Sequence, residues 1–112
     1  MTEYLFSYGT LQDGEVQMEL FGRHLIGHTD ILKGYNTTEI ELNEEGFVGF
    51  REREKYLIAS ISDDENDAIE GTALQVTMDD LLLADEYEPE EYKREHVTLE
   101  SGKQAWIYLK AE

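Results

Sequence analysis

The sequence predicts one α+β domain over residues 1–112, with a small mixed, mostly antiparallel, barrel-like sheet and two short helices. A chain of 112 residues is typical of a single domain, and 40% apolar with 11% aromatic residues suffices for a packed core. Several short runs are rich in aromatic and β-branched residues, as in strands, whereas only two segments have helical spacing. Their order, one strand, one helix, several strands, a second helix and two strands, favours this class.

The first two elements are a strand and a helix. Residues 4–8 form a short apolar run with two tyrosines, which predicts a buried strand. Val16, Leu20 and Phe21 follow the spacing of one helix face, so we expect a short amphipathic helix over residues 15–25.

The centre of the chain predicts strands. Residues 30–43 are rich in isoleucine and threonine, and they predict a strand that Gly34 interrupts, as a β-bulge would. A turn is expected at residues 43–46. Residues 47–50 and 55–62 predict two further strands.

The remaining strands lie on either side of the second helix. Residues 68–77 predict a strand with Gly71 in its middle, where a bulge or a close backbone contact is expected. Residues 93–99 and 104–109 predict a hairpin around a two-residue turn at Ser101-Gly102.

The second helix has clear start and stop signals. Thr77 is followed three residues later by Asp80. This is the pattern of a helix start, with a hydroxyl as the cap and a carboxylate three residues later. The helix is expected to end near Glu88, because the residue before Pro89 is driven away from helical angles.

The composition excludes several kinds of chemistry and partner. The chain has no cysteine, so disulfides, thiolate metal sites and a cysteine nucleophile are excluded. Its net charge of −17 repels phosphate backbones and anionic membranes, so we expect neither nucleic acid nor a membrane as a partner. The N-terminus does not have the pattern of a signal peptide, and no apolar run approaches the roughly 20 residues that span a bilayer. We therefore expect a cytoplasmic protein.

The familiar metal and nucleophile patterns are incomplete. His24 and His28 are four residues apart, but Gly22 and Gly27 interrupt the helix that would place them on one face. The acidic run that begins at Asp63 does not have the glycine and the glutamate of a calcium loop. Gly-x-Ser-x-Gly, phosphate-loop and dinucleotide patterns do not occur. We expect no metal and no cofactor.

One candidate site is Tyr8-Gly9-Thr10-Leu11, directly after the first strand. A glycine there lets successive backbone N–H groups turn toward one point, where they can hold an anion or a developing oxyanion. Thr10 adds a hydroxyl. A plain turn is the alternative that these four residues leave open.

The other candidate site is Glu88. Leu81, Asp85 and Glu88 share one helix face, and the apolar Leu81 places that face toward the core. Burial and the negative end of the helix dipole both disfavour a carboxylate anion, so we expect a raised pKa for Glu88. A carboxyl group with a raised pKa suits a general acid and base near neutral pH. An acidic surface turn is the alternative.

Both segments belong to an ordered set of motifs. In chain order these are Tyr8-Gly9-Thr10-Leu11, Gly14-Glu15, Gly34-Tyr35, Glu70-Gly71, Asp85-x-Tyr87-Glu88 and Tyr92-x-Arg94. In this order and spacing, the chain resembles the gamma-glutamylcyclotransferase-like superfamily from about Tyr4 to Tyr108. It is similar in particular to the small members akin to gamma-glutamylamine cyclotransferase.

The resemblance implies a compact α+β fold on a small mixed barrel. It also implies a cofactor-free cyclotransferase that releases 5-oxoproline and a free amine or amino acid from a γ-glutamyl substrate. The backbone N–H groups of Tyr8, Gly9, Thr10 and Leu11 would then meet the substrate. The acid/base glutamate of the family falls on Glu88.

The resemblance also bears on the pocket wall. Members tend to have a Tyr-Pro step where this chain has Tyr56-Leu57, which leaves the wall there and the choice of substrate open. Tyr92 and Tyr108 are expected to line the pocket as substrate-binding residues. Arg94 would either bind a carboxylate of the substrate or form an ion pair with a nearby acidic residue.

Two functions of other classes remain open. The same backbone groups could hold a carboxylate ligand without catalysis, which would make the chain a non-catalytic binding module. The strong acidity could instead serve an interaction with a basic partner, whose affinity would fall with salt.

Overall fold

The structure, a computed structural model, describes residues 2–41, 55–88 and 90–111. The strands and helices, in chain order, are β1 (Glu3–Ser7), a 3-10 turn (Thr10–Gln12), α1 (Gly14–Phe21), β2 (Gly27–Lys33), β3 (Tyr35–Glu41), β4 (Lys55–Ile61), β5 (Ala68–Val76), α2 (Met78–Tyr87), β6 (Tyr92–Thr98) and β7 (Gln104–Lys110). The predicted α+β class with two short helices is confirmed. The predicted turn at 43–46 and strand at 47–50 lie outside the described residues. Neither α1 nor α2 is long and apolar enough to cross a bilayer.

The described strands form one mixed sheet in the order β2-β5-β1-β7-β4-β3, with β6 also paired to β7. Four pairings are antiparallel: β1–β5, β2–β5, β3–β4 and β6–β7. The two parallel contacts are short, Leu5 beside Trp106 and Ala59 beside Leu109. The sheet is thus mostly antiparallel, as predicted, and in the described part of the chain β2 and β3 end it without closing a barrel.

The sheet buries side chains on both of its faces. One face carries a core of Phe6, Leu32, Ala59, Ile69, Ala73, Leu99, Ala105, Ile107 and Leu109. A second core joins the other face to α1 and α2 and contains Leu5, Leu11, Val16, Leu74, Val76, Leu81, Ala84 and Tyr108. Adjacent residues such as Leu5 and Phe6 therefore enter different cores, and for this reason the sequence of β1 is a continuous apolar run.

Gly34 separates two strands instead of interrupting one. Its φ of +83° lies in the left-handed region, which turns the chain sharply. Its N–H donates to Asp67 O at 2.7 Å, and its carbonyl accepts from Ser62 N at 2.9 Å. The residues before it pair with β5 and those after it with β4. The prediction of one bulged strand over residues 30–43 was therefore wrong.

Two other predicted boundaries also need correction. Helix α1 ends at Phe21, not near residue 25, because Gly22 takes a left-handed φ of +75° and caps the helix through its N–H to Met18 O. The β6–β7 hairpin has a three-residue loop, since Leu99 N donates to Lys103 O. Gly102 supplies the positive φ, +91°, that such a loop requires.

The close backbone contact predicted at Gly71 is confirmed. A Cβ placed on Gly71 would lie 2.5 Å from Ser7 O and 2.8 Å from Phe6 Cζ. Only glycine fits there without a shift of β1. This packing fixes the strand that leads into Tyr8 and Gly9.

Helix α2 begins and ends where the sequence predicts. Thr77 Oγ1 accepts from Asp80 N at 3.1 Å, and Thr77 N donates to Asp80 Oδ2 at 2.8 Å, which completes a capping box. At the other end, Glu88 has an extended ψ of 137° and donates its N–H to Ala84 O. The helix thus delivers Glu88 to a fixed place at its C-terminal cap.

Candidate functional site

A cleft of about 450 Å³ lies between the C-terminal end of α2 and the β6–β7 hairpin. Helix α2 and the residues just after it supply acidic groups, and the two strands supply aromatic rings and one guanidinium. The lining residues are Asp85, Glu88, Glu90, Tyr92, Arg94, Trp106 and Tyr108. Three residues that the sequence proposed, Glu88, Tyr92 and Tyr108, therefore share one cleft.

The guanidinium in the cleft is held by two neighbours. Arg94 donates Nε to Asp85 Oδ1 at 2.8 Å and Nη2 to Asp85 Oδ2 at 3.0 Å. Its Cζ lies 4.5 Å from the centroid of the Trp106 ring. Of the two roles the sequence left open for Arg94, the described structure contains the ion pair.

Two tyrosines are held by hydrogen bonds from their hydroxyls. Tyr108 donates to Asp85 Oδ1 at 2.7 Å, and Tyr92 donates to the carbonyl of Leu57 at 2.6 Å. Tyr108 lies opposite Arg94 in the β6–β7 register, so these two side chains share a face of the hairpin. The rings are thereby fixed as walls of the cleft.

Glu88 is half-buried in the cleft, and no described cation forms an ion pair with it. Removal of its carboxyl group from water raises its pKa from 4.5 to about 7. The direction is the one that the sequence predicted, and burial accounts for it. A carboxyl group with this pKa can both accept and release a proton at neutral pH.

The phenol of Tyr8 is bound to the backbone of two strands. Its hydroxyl donates to Tyr108 O and accepts from Ala59 N at 3.1 Å. It thus bridges β7 and β4 beside their short parallel contact. Burial raises the pKa of Tyr8, and the nearby charge of Glu88 raises it further, which places this phenol close to the cleft.

Gly9, Thr10 and Leu11 are not among the residues that line the cleft. They form the start of the 3-10 turn, whose first N–H groups have no partner within the turn itself. The hydroxyls of Thr10 and Tyr87 share a hydrogen bond of 2.9 Å, so this turn is tied to the residue before Glu88. Leu11 is buried, and its side chain serves the core.

Gly9 itself is not required by the packing of the chain. It is exposed, its N–H donates to Ser7 Oγ at 3.3 Å, and a Cβ placed on it would meet nothing within 4 Å. Its φ of −134° is also outside the left-handed region. The described residues therefore offer no steric reason for a glycine at this position.

Sequence reasoning missed Gln17, which supports the 3-10 turn from inside. This side chain is 5% exposed, donates Nε2 to Leu11 O at 2.8 Å and accepts from Leu25 N at 2.9 Å. A polar residue on the apolar face of α1 was the available signal. The sequence also missed Trp106 and Glu90 as lining residues, although Trp106 is two residues before Tyr108 on one strand face.

A family model described as gamma-glutamyl cyclotransferase, AIG2-like, matches residues 5–112. No curated protein matches the chain.

Solved structures show the same fold. Two Arabidopsis thaliana proteins with solution structures are similar: one is 24% identical with a TM-score of 0.72, over 99% of this chain and 70% of that one. The other is 17% identical with a TM-score of 0.69, over 98% of this chain and 62% of that one. A structure described as gamma-glutamyl cyclotransferase is 15% identical with a TM-score of 0.72, over 100% of this chain and 68% of that one. The chain thus spans about two thirds of the length of these proteins.

Proposed function

The chain belongs to the gamma-glutamyl cyclotransferase, AIG2-like family, and we propose that it closes a γ-glutamyl group into 5-oxoproline and releases a free amine or amino acid. Glu88 is the general acid and base of this reaction. The observation that carries the proposal is a half-buried carboxyl group in a cleft that forms no ion pair within the described part of the chain, with a pKa of about 7.

The reaction moves protons from one nitrogen to another. The α-ammonium of the substrate gives a proton to the Glu88 carboxylate, and the free amine attacks its own γ-amide carbonyl. The tetrahedral intermediate collapses as Glu88 returns the proton to the leaving nitrogen and the C–N bond breaks. The ring nitrogen sheds its second proton, which the released amine takes up, so neither water nor a net proton is consumed.

The pKa of Glu88 suits this transfer. The α-amino group of the substrate has a higher pKa than Glu88, which is at about 7, and the raised pKa of Glu88 brings the two groups closer together. The proton therefore passes at a lower cost in free energy than it would to an ordinary carboxylate. A carboxyl group with an ordinary pKa would be the weaker base by more than two units.

The backbone at Gly9, Thr10 and Leu11 is assigned to the substrate's oxygen atoms. Its N–H groups would hold the α-carboxylate or the tetrahedral oxyanion, that of Gly9 in exchange for its bond to Ser7 Oγ, and both assignments are open. The cleft lining is acidic, so an anionic group of the substrate would depend on these donors. Tyr92 and Tyr108 would limit the motion of the folded substrate, which favours ring closure.

The first experiment compares Glu88→Gln with Glu86→Gln, a matched control on the same helix. In Glu88→Gln, 5-oxoproline release from a γ-glutamyl amine should fall by about 10²- to 10⁴-fold, the range for loss of a general acid/base. Glu86→Gln should keep the wild-type rate. Equal rates in Glu88→Gln and wild type would refute the proposal, and binding without release in wild type would favour the non-catalytic module.

The second experiment tests the backbone donors. Gly9→Ala adds a methyl group where the chain has room for it, so the free energy of unfolding should change little. If a substrate occupies that space, KM should rise at least tenfold. An unchanged KM would show that the substrate does not approach Gly9.

A further inference from the structure

The hydroxyl of Tyr108 donates its only proton to Asp85. We infer that its Oη accepts an N–H from the α-amino group of the substrate. Asp85 is the positioning residue that holds the phenol in this orientation. The inference rests on the proposed function for the identity of the substrate. It adds the group that recognises and aims the attacking nitrogen.

The direction of the hydrogen bond at Tyr108 follows from the state of Asp85. Arg94 donates to both carboxylate oxygens of Asp85, at 2.8 and 3.0 Å, and so holds that group ionised. An ionised carboxylate can only accept, so in the 2.7 Å contact the proton belongs to Tyr108 and points to Asp85.

The arrangement also fixes the acceptor in space. Arg94 lies over the Trp106 ring, with its Cζ 4.5 Å from the ring centroid, and it is opposite Tyr108 in the register of the hairpin. Asp85 thus forms an ion pair with Arg94 on β6 and a hydrogen bond with Tyr108 on β7. A phenol held in this way has lone pairs left to accept and no proton left to donate, and Tyr108 is among the residues that line the cleft.

The cleft therefore offers acceptors where a substrate must bring donors. Glu88 supplies a carboxylate and Tyr108 supplies a neutral oxygen, and both line the same cleft. An α-ammonium has three N–H groups, enough to donate to Tyr108 and still release a proton to Glu88.

Tyr108 does not compete with Glu88 for that proton. Burial, followed by the hydrogen bond to Asp85, raises the pKa of Tyr108, so the phenol stays protonated. Its role is to orient the nitrogen, while Glu88 moves the proton.

The test uses a pair of ligands that differ only at the α-amino group: L-γ-glutamylbutylamide as substrate and N-butylglutaramic acid as inhibitor. In Tyr108→Phe, kcat/KM for the substrate should fall by about 10- to 100-fold, as for loss of a hydrogen bond to a charged group, while the inhibition constant of the deaminated compound stays within about twofold. Tyr4→Phe, a tyrosine on β1 outside the cleft lining, should change neither value. Equal losses for both ligands, or no loss, would overturn the inference.

Asp85→Asn tests the positioning role with Tyr108 left in place. An asparagine amide can donate to the phenol oxygen, which frees the Tyr108 proton to turn into the cleft. At about pH 8.5, where Glu88 is ionised, the same selective loss for the ligand with an α-amino group should appear. Wild-type selectivity in Asp85→Asn would overturn the role of Asp85.

Failure of the proposed function has a different signature. A wild-type chain that releases no 5-oxoproline from any γ-glutamyl amide would refute the cyclotransferase assignment. Calorimetric binding of the two compounds would then decide the inference alone, because loss of the preference for the α-amino compound in Tyr108→Phe supports it and an unchanged preference overturns it.

Discussion

The two ends of α2 hold carboxyl groups with opposite properties. Asp80 at the N-terminal end is 4% exposed, and Arg23 donates to its two oxygens at 3.0 and 2.6 Å. That guanidinium holds the pKa of Asp80 below its usual range, although burial acts against it. Glu88 at the C-terminal end forms no ion pair with a described cation, and burial raises its pKa to about 7. The presence of a counter-charge, more than burial, decides whether a carboxyl group of this helix serves structure or proton transfer.

The backbone reinforces the contrast. Exposed N–H groups favour an anion at the first turn of α2, and exposed carbonyls disfavour one at its last turn. Arg94 lines the cleft but does not offset this unfavourable effect on Glu88, because Asp85 binds its guanidinium. Asp85 thus has two effects, since it orients Tyr108 and also keeps a positive charge from neutralising Glu88.

The pH dependence of turnover is the largest expected difference between the two ends. Because the proposed base must be ionised, kcat/KM should fall tenfold per pH unit below about 7, or about a hundredfold by pH 5. Asp80→Asn should leave the midpoint unmoved. A rate that stays flat between pH 7 and 5 in wild type would mean that no group with the pKa of Glu88 takes part.

Asp80→Ala should give the largest loss of stability. It removes the ion pair with Arg23 and half of the capping box, and we expect the free energy of unfolding to fall by about 2–3 kcal/mol, as for a lost cap together with a partly buried pair. Urea denaturation measures this loss. A change below about 0.5 kcal/mol would show that Asp80 contributes no more to stability than an exposed residue does.

Glu88→Gln should raise the free energy of unfolding at alkaline pH, whereas Asp80→Ala lowers it. The pKa of Glu88 is higher in the folded state, about 7, than in the unfolded state, so its contribution to stability is complete below the unfolded pKa and is lost as the pH rises through 7. Glu88→Gln should therefore be more stable than wild type at pH 8, by about 3 kcal/mol, and not at pH 4. Unfolding curves at both pH values check this, and a constant difference would contradict the assigned pKa.

The contribution of Asp80 to stability should have the opposite pH dependence. Its folded pKa is lowered, so its contribution to stability is present above the unfolded pKa and lost as the pH falls through the folded value. Asp80→Asn should therefore flatten the loss of stability at acid pH. If Glu88→Gln and Asp80→Asn both changed the free energy of unfolding on the same side of neutral pH, the contrast between the two ends of α2 would be wrong.

The contrast was predictable where it depends on local sequence. The cap of Thr77 and Asp80, the spacing of Leu81 to Glu88 and the position before Pro89 together set the ends of α2 and the raised pKa of Glu88. All of these depend on neighbours within a few turns of one helix. For the same reason, the Gly71 contact required only an unusual glycine in a strand.

What the sequence could not provide was the choice of partner across elements. Arg94 and Asp85 meet because β6 lies beside the end of α2, and chains with many acidic residues offer many equivalent partners. Gly34 was misjudged because a bulge and a change of partner strand have the same local pattern. The strands before and after it pair with β5 and β4, which are far apart in the sheet order.

Loss of the hydrogen bond between Thr10 and Tyr87 is the smallest effect that we predict. This bond joins the turn at Gly9 to the Glu88 end of α2. Thr10→Val keeps the shape and should lower the free energy of unfolding by about 0.5–1.5 kcal/mol, the usual range for one hydrogen bond. Tyr87→Phe removes the other hydroxyl, and a double-mutant cycle with Thr10→Val isolates the bond from the other contacts of Tyr87. If the turn and Glu88 act on one substrate, the cycle should also give a coupling in kcat/KM. A coupling in stability alone would mean that the bond supports the fold, and that the two parts of the site work independently.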